Sequence, residues 1–209
     1  MDTLVASGPD CEIQAGAQVG LRYRDGCKPV RLGAHARIRS GTIIYCDVTA
    51  GDHLQTGHHA LIRAETTLGD HVTVGTNVVI EGQVTIGSFV KIEAGSFIPT
   101  HCRIGNRVFF GPNVTVTNDR FPLRRRDEYQ AQGCVIEDNV TIGGGVVLCP
   151  GVTIGAGSFV AAGAVVTKDI PSQSLAIGVP ARIEPLPENL REPNMALSWR
   201  KYLDPHGGR

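Results

Sequence analysis

The chain has 209 residues, with 20 basic and 20 acidic side chains, a formal net charge of zero and a pI near 7. That balance removes the electrostatic case for nucleic acid or an anionic membrane as a partner, and no apolar run approaches the length of a membrane span. Its 26 glycines and 5% aromatic content suit stacked short strands better than a sandwich around a large aromatic core.

Residues 1 to 20 hold an opening coil, with Ile13 and Val19 six apart. The segment Arg22-Tyr23-Arg24-Asp25-Gly26-Cys27-Lys28-Pro29 breaks the frame. From Leu32 an aliphatic residue opens almost every sixth position (Ile38, Ile44, Ile62, Leu68, Val74, Ile80, and so on to Val116), with Ala50 and Thr56 as the weak openers. A period of six matches neither the 3.6 of a helix nor plain strand alternation. It fits a solenoid of short strands and tight corners. The opener and the small or β-branched fifth position (Val72, Val78, Val84) lie two residues apart across each frame boundary, so both face the interior. Gly after the opener, as in Gly69 and Gly75, supplies the backbone freedom of a corner.

After Val116 the frame resumes at Ile136, fourteen residues late, which places one long external loop at about 120–134. It carries Arg124-Arg125-Arg126 followed by polar residues, and a loop of that length on a regular scaffold is functional or disordered. The frame then runs through Ile142, Leu148, Ile154, Val160 and Val166 and stops near Lys168-Asp169-Ile170-Pro171. Glu188 to Leu203 reads as a short helix interrupted near Pro193, capping the open end. The expected organisation is a β-helix domain over 1–183 and a helical tail over 184–209. No basic stretch leads into an apolar run after Met1, and the six cysteines lack C-x-x-C spacing, so a cytoplasmic protein with reduced thiols is expected.

If three frames close one triangular coil, residues eighteen apart stack on one corner. The first corner then carries His35, His53, His71, Phe89 and Arg107. The second carries His58, His59, Asn77, Asn113, Gly143 to Gly145 and Ala161 to Gly163. The third carries Tyr45, Asp47, Arg63, Glu65, Glu81, His101, Asn118, Asp119 and Lys168, and from it the long loop departs. The histidine ladder at the first corner sits where Asn recurs, and both residues tolerate left-handed backbone angles, so corner geometry accounts for it without a metal.

Gly143-Gly144-Gly145-Val146-Val147-Leu148-Cys149-Pro150-Gly151, Gly163-Ala164-Val165-Val166-Thr167-Lys168-Asp169-Ile170-Pro171 and Gly178-Val179-Pro180-Ala181-Arg182 resemble the late coils of hexapeptide-repeat acyltransferases. Arg39-Ser40-Gly41-Thr42, Gln55-Thr56-Gly57-His58 and Thr117-Asn118-Asp119-Arg120-Phe121-Pro122 resemble the sugar-nucleotide N-acetyltransferase branch of that family. The resemblance implies an all-β fold, a left-handed parallel β-helix with one long external loop and a short C-terminal helical segment. It also implies a homotrimer with acetyl-CoA, the acyl donor, bound between subunits.

Carried onto this chain, the resemblance assigns the donor to Gly143, Gly144, Ala162, Gly163, Lys168, Pro180 and Arg182, the small residues exposing backbone amides and the cations meeting phosphates. The alternative is that small residues simply make corners. His58 is the candidate proton acceptor, with Asn118 and Asp119 as catalytic partners and His59, Asn77, Glu81 and Arg120 as substrate ligands. A corner histidine without a role, and an Asn-Asp pair that merely begins the loop, are the plainer readings. The family's O-acetyltransferases place a His just before the Pro at the loop entrance; Asn118-Asp119-Arg120-Phe121-Pro122 has none. An amine nucleophile tolerates that loss better, being partly neutral already at cellular pH. The expected activity is N-acetylation of an amino sugar, nucleotide-linked, with O-acetylation as the alternative. A γ-class carbonic anhydrase would need a histidine five beyond His71, where Thr76 stands. A non-enzymatic assembly module has no use for Lys168 and Gly178 to Arg182.

Overall fold

The computed structural model describes residues 4–195. Three sheets of eight, ten and eight strands, parallel except for the last strand of the second, run the length of a left-handed parallel β-helix. Strands eighteen positions apart are neighbours: Thr67 registers with Thr85, Thr73 with Lys91, and Val79 with Phe97. The first sheet holds Val30–Leu32 and Thr67–Leu68, the second Arg37–Ile38 and Gln55–Thr56, and the third Ile43–Tyr45 and Val79–Ile80. Their meeting lines form three edges, numbered as the corners above.

The openers and fifth positions make the core. Ile38, Ile44, Ile62, Leu68, Ile80, Ile98 and Phe110 are fully buried, as are Val72, Val78 and Val108. Each such aliphatic or aromatic side chain contributes about 1.5–3 kcal/mol relative to exposure. Thr56, a weak opener, is buried too, and its hydroxyl is engaged with Thr42 and the Arg39 amide.

One residue of nearly every corner has positive φ. The three ladder histidines adopt φ of 57–60°, as do Asn77 and Asn139, while Phe89 and Arg107 accept the same region at 65° and 53°. A left-handed angle costs a non-glycine residue about 1–2 kcal/mol. At the first edge stacking offsets part of it: the rings of His35, His53, His71 and Phe89 follow one another with centroids 4.7, 4.5 and 5.0 Å apart.

Both breaks in the frame leave from the third edge. Beyond the long loop whole coils resume, since Arg103 pairs with Val135, Phe109 with Thr141 and Thr115 with Val147. The earlier loop, around 22–29, is drawn onto the same edge. Asp47 accepts hydrogen bonds from the Lys28 amide (2.8 Å), Tyr23 Oη (2.9 Å) and Arg24 Nη2 (2.9 Å). A disulfide joins Cys27 to Cys46. That corrects the expectation of uniformly reduced thiols: no sequence spacing marks the pair, because the loop's return over the edge is what brings them together.

At the far end Ser174–Ile177 adds to the second sheet in parallel and turns back into Arg182–Pro185 as an antiparallel partner. This hairpin crosses the boundary expected at 183/184. Glu188–Leu190 forms one 3₁₀ turn, and positions 196–203 of the expected helix, with the rest of the tail to 209, lie outside the described residues. Among the described residues no helix is long and apolar enough to cross a membrane.

Candidate active site

At the first edge, the backbone amides of five successive turns are each claimed by a side chain one coil further on. Asp52 Oδ1 accepts from Ala34 N, Asp70 Oδ1 from Asp52 N, Ser88 Oγ from Asp70 N, Asn106 Oδ1 from Ser88 N and Asp138 Oδ1 from Asn106 N, all within 2.7–3.0 Å. The space over Gly51 is filled accordingly, a Cβ there meeting Asp70 Oδ1 at 2.1 Å.

The second edge is built differently. Its turns stack as Ser40-Gly41, His58-His59, Thr76-Asn77, Ala94-Gly95, Pro112-Asn113, Gly144-Gly145 and Ala162-Gly163, tied by the bonds His59 N to Ser40 O through Gly163 N to Gly144 O. Here no side chain reaches over the turn amides toward the C-terminal end. Among the described residues the amides of Gly144 and Ala162 meet no acceptor. Glycines keep them open: a Cβ on Gly111 would lie 2.4 Å from Gly144 N, and one on Gly143 would lie 2.4 Å from Ala162 N. The turn Gly178 to Ala181, with a cis bond before Pro180, docks beside this stretch through Val165 N to Gly178 O (3.1 Å) and Ala181 N to Val165 O (2.8 Å). Gly143, Gly144, Ala162, Gly163 and Pro180 are thus brought together at one end of the second edge. Arg182 follows exposed in the hairpin strand, and Lys168 lies exposed at the opposite end of the third-sheet strand Val165–Val166.

His58, His59 and Asn77 occupy the other half of the second edge. His58 Nδ1 is 2.9 Å from Ser40 Oγ, His58 O accepts from Asn77 N, and the His59 ring lies over Gly41, where a Cβ would strike it at 2.1 Å. Four rungs separate His58 from Gly144, about 19 Å at ordinary strand spacing.

Glu81, Asn118, Asp119 and Arg120 lie toward the third edge instead. Glu81 is bound by Arg63 Nη1 at 2.6 Å. Asn118 Nδ2 donates to Thr100 Oγ1 (3.0 Å), and Asp119 Oδ1 accepts from Phe121 N (2.8 Å), opening the long loop as an Asx turn. Arg120 is exposed. Within one protomer the candidates therefore form three groups rather than one cluster. Among the described residues no group of His, Cys, Asp or Glu is arranged to hold a metal ion.

Sequence reading gave Ser40 no role beyond its place in Arg39-Ser40-Gly41-Thr42, and its partnership with His58 follows from an eighteen-residue spacing it shares with every other stacked pair. Nor did it give a role to Thr42, Thr56 or Arg39, which sit in the coils beside them.

The pattern for bacterial transferase hexapeptide (six repeats) matches residues 65–100, 83–118 and 133–168. Those segments thus carry hexapeptide repeats similar to the ones found in bacterial transferases. It is similar to the galactoside O-acetyltransferase of Lactococcus lactis, 44% identical over 85 residues, which are 39% of this chain and 41% of that protein. With the galactoside O-acetyltransferase of Escherichia coli it shares 45% over 84 residues, 38% of this chain and 41% of that one. The match thus spans about two fifths of the length of these relatives. A Bacillus cereus crystal structure assigned as an acetyltransferase superposes over 92% of this chain and 100% of its own, with a TM-score of 0.57 at 22% identity, a likeness of fold.

Proposed function

We propose that the chain is an acetyl-CoA-dependent acetyltransferase that acylates the amine of an amino sugar carried on a nucleotide. The observation that carries this reading is the pair of unclaimed amides, Gly144 and Ala162, whereas at the first edge five successive turn amides, from Ala34 to Asn106, are capped by side chains. Acetyl-CoA supplies a thioester carbonyl. The two amides donate to the carbonyl oxygens of an arm lying along the edge, while Lys168 and Arg182 provide charge for its phosphates and the Pro180 turn walls the end.

With Nδ1–H donating to Ser40 Oγ, His58 Nε2 keeps the lone pair that a proton acceptor needs. His59 and Asn77 flank it along the edge. Asn118, Asp119, Arg120 and Glu81 approach from the third edge of a neighbouring subunit in a homotrimer, which joins the groups that one protomer holds apart.

A second reading, O-acetylation of a sugar hydroxyl, is favoured by the similarity to the galactoside O-acetyltransferases. Against it stands the loop entrance Asn118-Asp119-Arg120-Phe121-Pro122, which lacks a histidine for deprotonating a hydroxyl. CoA release measured with nucleotide-linked amino sugars, free amino sugars and sugar hydroxyl acceptors decides between them. Release with an amine supports N-acetylation; release only with hydroxyl acceptors moves the activity to O-acetylation. Light scattering on the same sample reads the trimer.

A further inference from the structure

A depression of about 270 Å³ lies on the outer face of the second sheet, against the second edge, and Arg37, Arg39, Gln55, Gly57, Thr73 and Thr76 contribute to its lining. Its shape follows from register. The outward column runs Arg37, Gln55, Thr73, Lys91. The next column toward the edge runs Arg39, Gly57, Gly75, Glu93, so two glycines form a floor between a basic and an acidic end. Glycine is required there for the fold itself, since a Cβ on Gly57 would lie 2.3 Å from Thr76 N. The corner does not require arginine at position 39.

The charges at the two ends differ in their compensation. Glu93 is paired with Lys91, and Arg37 with Glu12 at 3.4 Å. The Arg39 guanidinium is exposed and has no ion-pair or hydrogen-bond partner among the described residues.

The backbone beneath Arg39 is specially held. Every other neighbouring pair of strands in the second sheet registers at least two residues, but Arg37–Ile38 and Gln55–Thr56 register only at Arg37 and Gln55. In place of the missing ladder bond, Arg39 N donates to Thr56 Oγ1 (2.9 Å). Thr56 and Thr42 hydroxyls meet at 3.1 Å, and Thr42 donates to Gly57 O (3.0 Å). This buried relay joins Arg39 to the floor at Gly57. The next residues on each strand are Ser40 and His58, the hydrogen-bonded pair of the candidate site.

We infer that this depression is an anion subsite that takes the diphosphate of a nucleotide-linked acceptor, with Arg39 as its principal ligand and Arg37, Gln55 and Thr76 as further donors. The inference rests on the acetyltransferase reading for its substrate and places the sugar beyond the rim, at His58. Thr56 and Thr42 are positioning residues that fix where Arg39 leaves the backbone.

The test is binding of uridine diphosphate to the full chain without acetyl-CoA, by calorimetry. Wild type binds, inorganic pyrophosphate competes, and Arg39→Ala weakens binding about tenfold or more, the scale of a lost charge-assisted hydrogen bond. Arg39→Lys falls between the two, and Arg103→Ala, an exposed arginine on the first sheet, binds as wild type does. Unchanged affinity in Arg39→Ala, failure of pyrophosphate to compete, or no binding by wild type overturns the subsite. In transfer assays Arg39→Ala raises KM for a nucleotide-linked amino sugar and leaves KM for acetyl-CoA and for a free amino sugar unchanged. Intact diphosphate binding without transfer to any amine counts against the acetyltransferase reading and leaves the subsite standing. Arg39 is exposed, so its variants melt with the wild type, which separates lost binding from lost folding.

Discussion

Ser40 Oγ and His58 Nδ1 meet at 2.9 Å across adjacent rungs of the second edge, which anchors the imidazole and leaves Nε2 without a hydrogen-bond partner among the described residues. His53, by contrast, is sandwiched between His35 and His71 with centroids 4.7 and 4.5 Å away. Removing a positioned general base costs about 10²–10⁴ in rate. His58→Ala is therefore expected to lower kcat by about 10², Ser40→Ala by less, and His53→Ala by under about threefold on the same scale. Equal, small effects of His58→Ala and His53→Ala remove His58 from the site.

The open amides can be tested apart from the fold. Gly143→Ala drives a Cβ to 2.4 Å from Ala162 N, against backbone that has no room to give, and is expected to cost about 1–3 kcal/mol of stability. Gly163 has φ of 72° and nothing within 4 Å of a built Cβ, while Asn77 and Asn113 hold the equivalent corner position at 57° and 56°. Gly163→Asn should melt close to wild type yet raise KM for acetyl-CoA severalfold, because its side chain intrudes on the strip beside Ala162. An unchanged KM would place the donor elsewhere.

Cysteine mapping checks the loop closure. The disulfide links positions nineteen apart, so its loss is expected to cost about 3 kcal/mol on the chain-entropy scale. Cys27→Ser with Cys46→Ser should lower Tm accordingly. Burial pushes the Cys102 thiol up to about 11 and Cys134 up to about 12, so neither should alkylate at pH 8 before unfolding. Cys11 and Cys149, only partly buried, should label first. Prompt labelling of Cys27 or Cys46 without reductant would exclude the bridge.

Asp47 gives a pH signature. The Lys28 amide, then Arg24 and Tyr23, hold its carboxyl below the usual 3.8. A carboxylate whose folded value is depressed adds stability above its unfolded value, and that stability is lost as pH falls through the folded one. Wild type should hold the 22–29 loop down to about pH 3.8 and release it below, whereas Asp47→Asn should show no such step. Protease sensitivity of the loop followed against pH reads both. A step of equal size in Asp47→Asn would refer it to other carboxylates.

The coil was legible because each six-residue frame repeats one physical demand, an aliphatic residue inward and a small or left-handed-tolerant residue at the bend. Thr56 looked like a defect in that pattern. In the structure it satisfies the Arg39 amide, a role invisible without the rung above it. His58 stood out through its neighbours in sequence, but Ser40, its partner, resembled any residue eighteen positions away.

By itself the sequence determined the period, the inward column, the place where the solenoid is interrupted and the fourteen-residue excess of that interruption, because burial of aliphatic surface repeats locally along the chain. Tertiary structure alone decided which amides are capped and which stay open, that Cys27 lies against Cys46, and that Arg39 stands uncompensated above a glycine floor. Those depend on what the next rung places overhead, and the contribution of a rung's neighbour is set by side-chain reach across about 4.8 Å rather than by order in the chain.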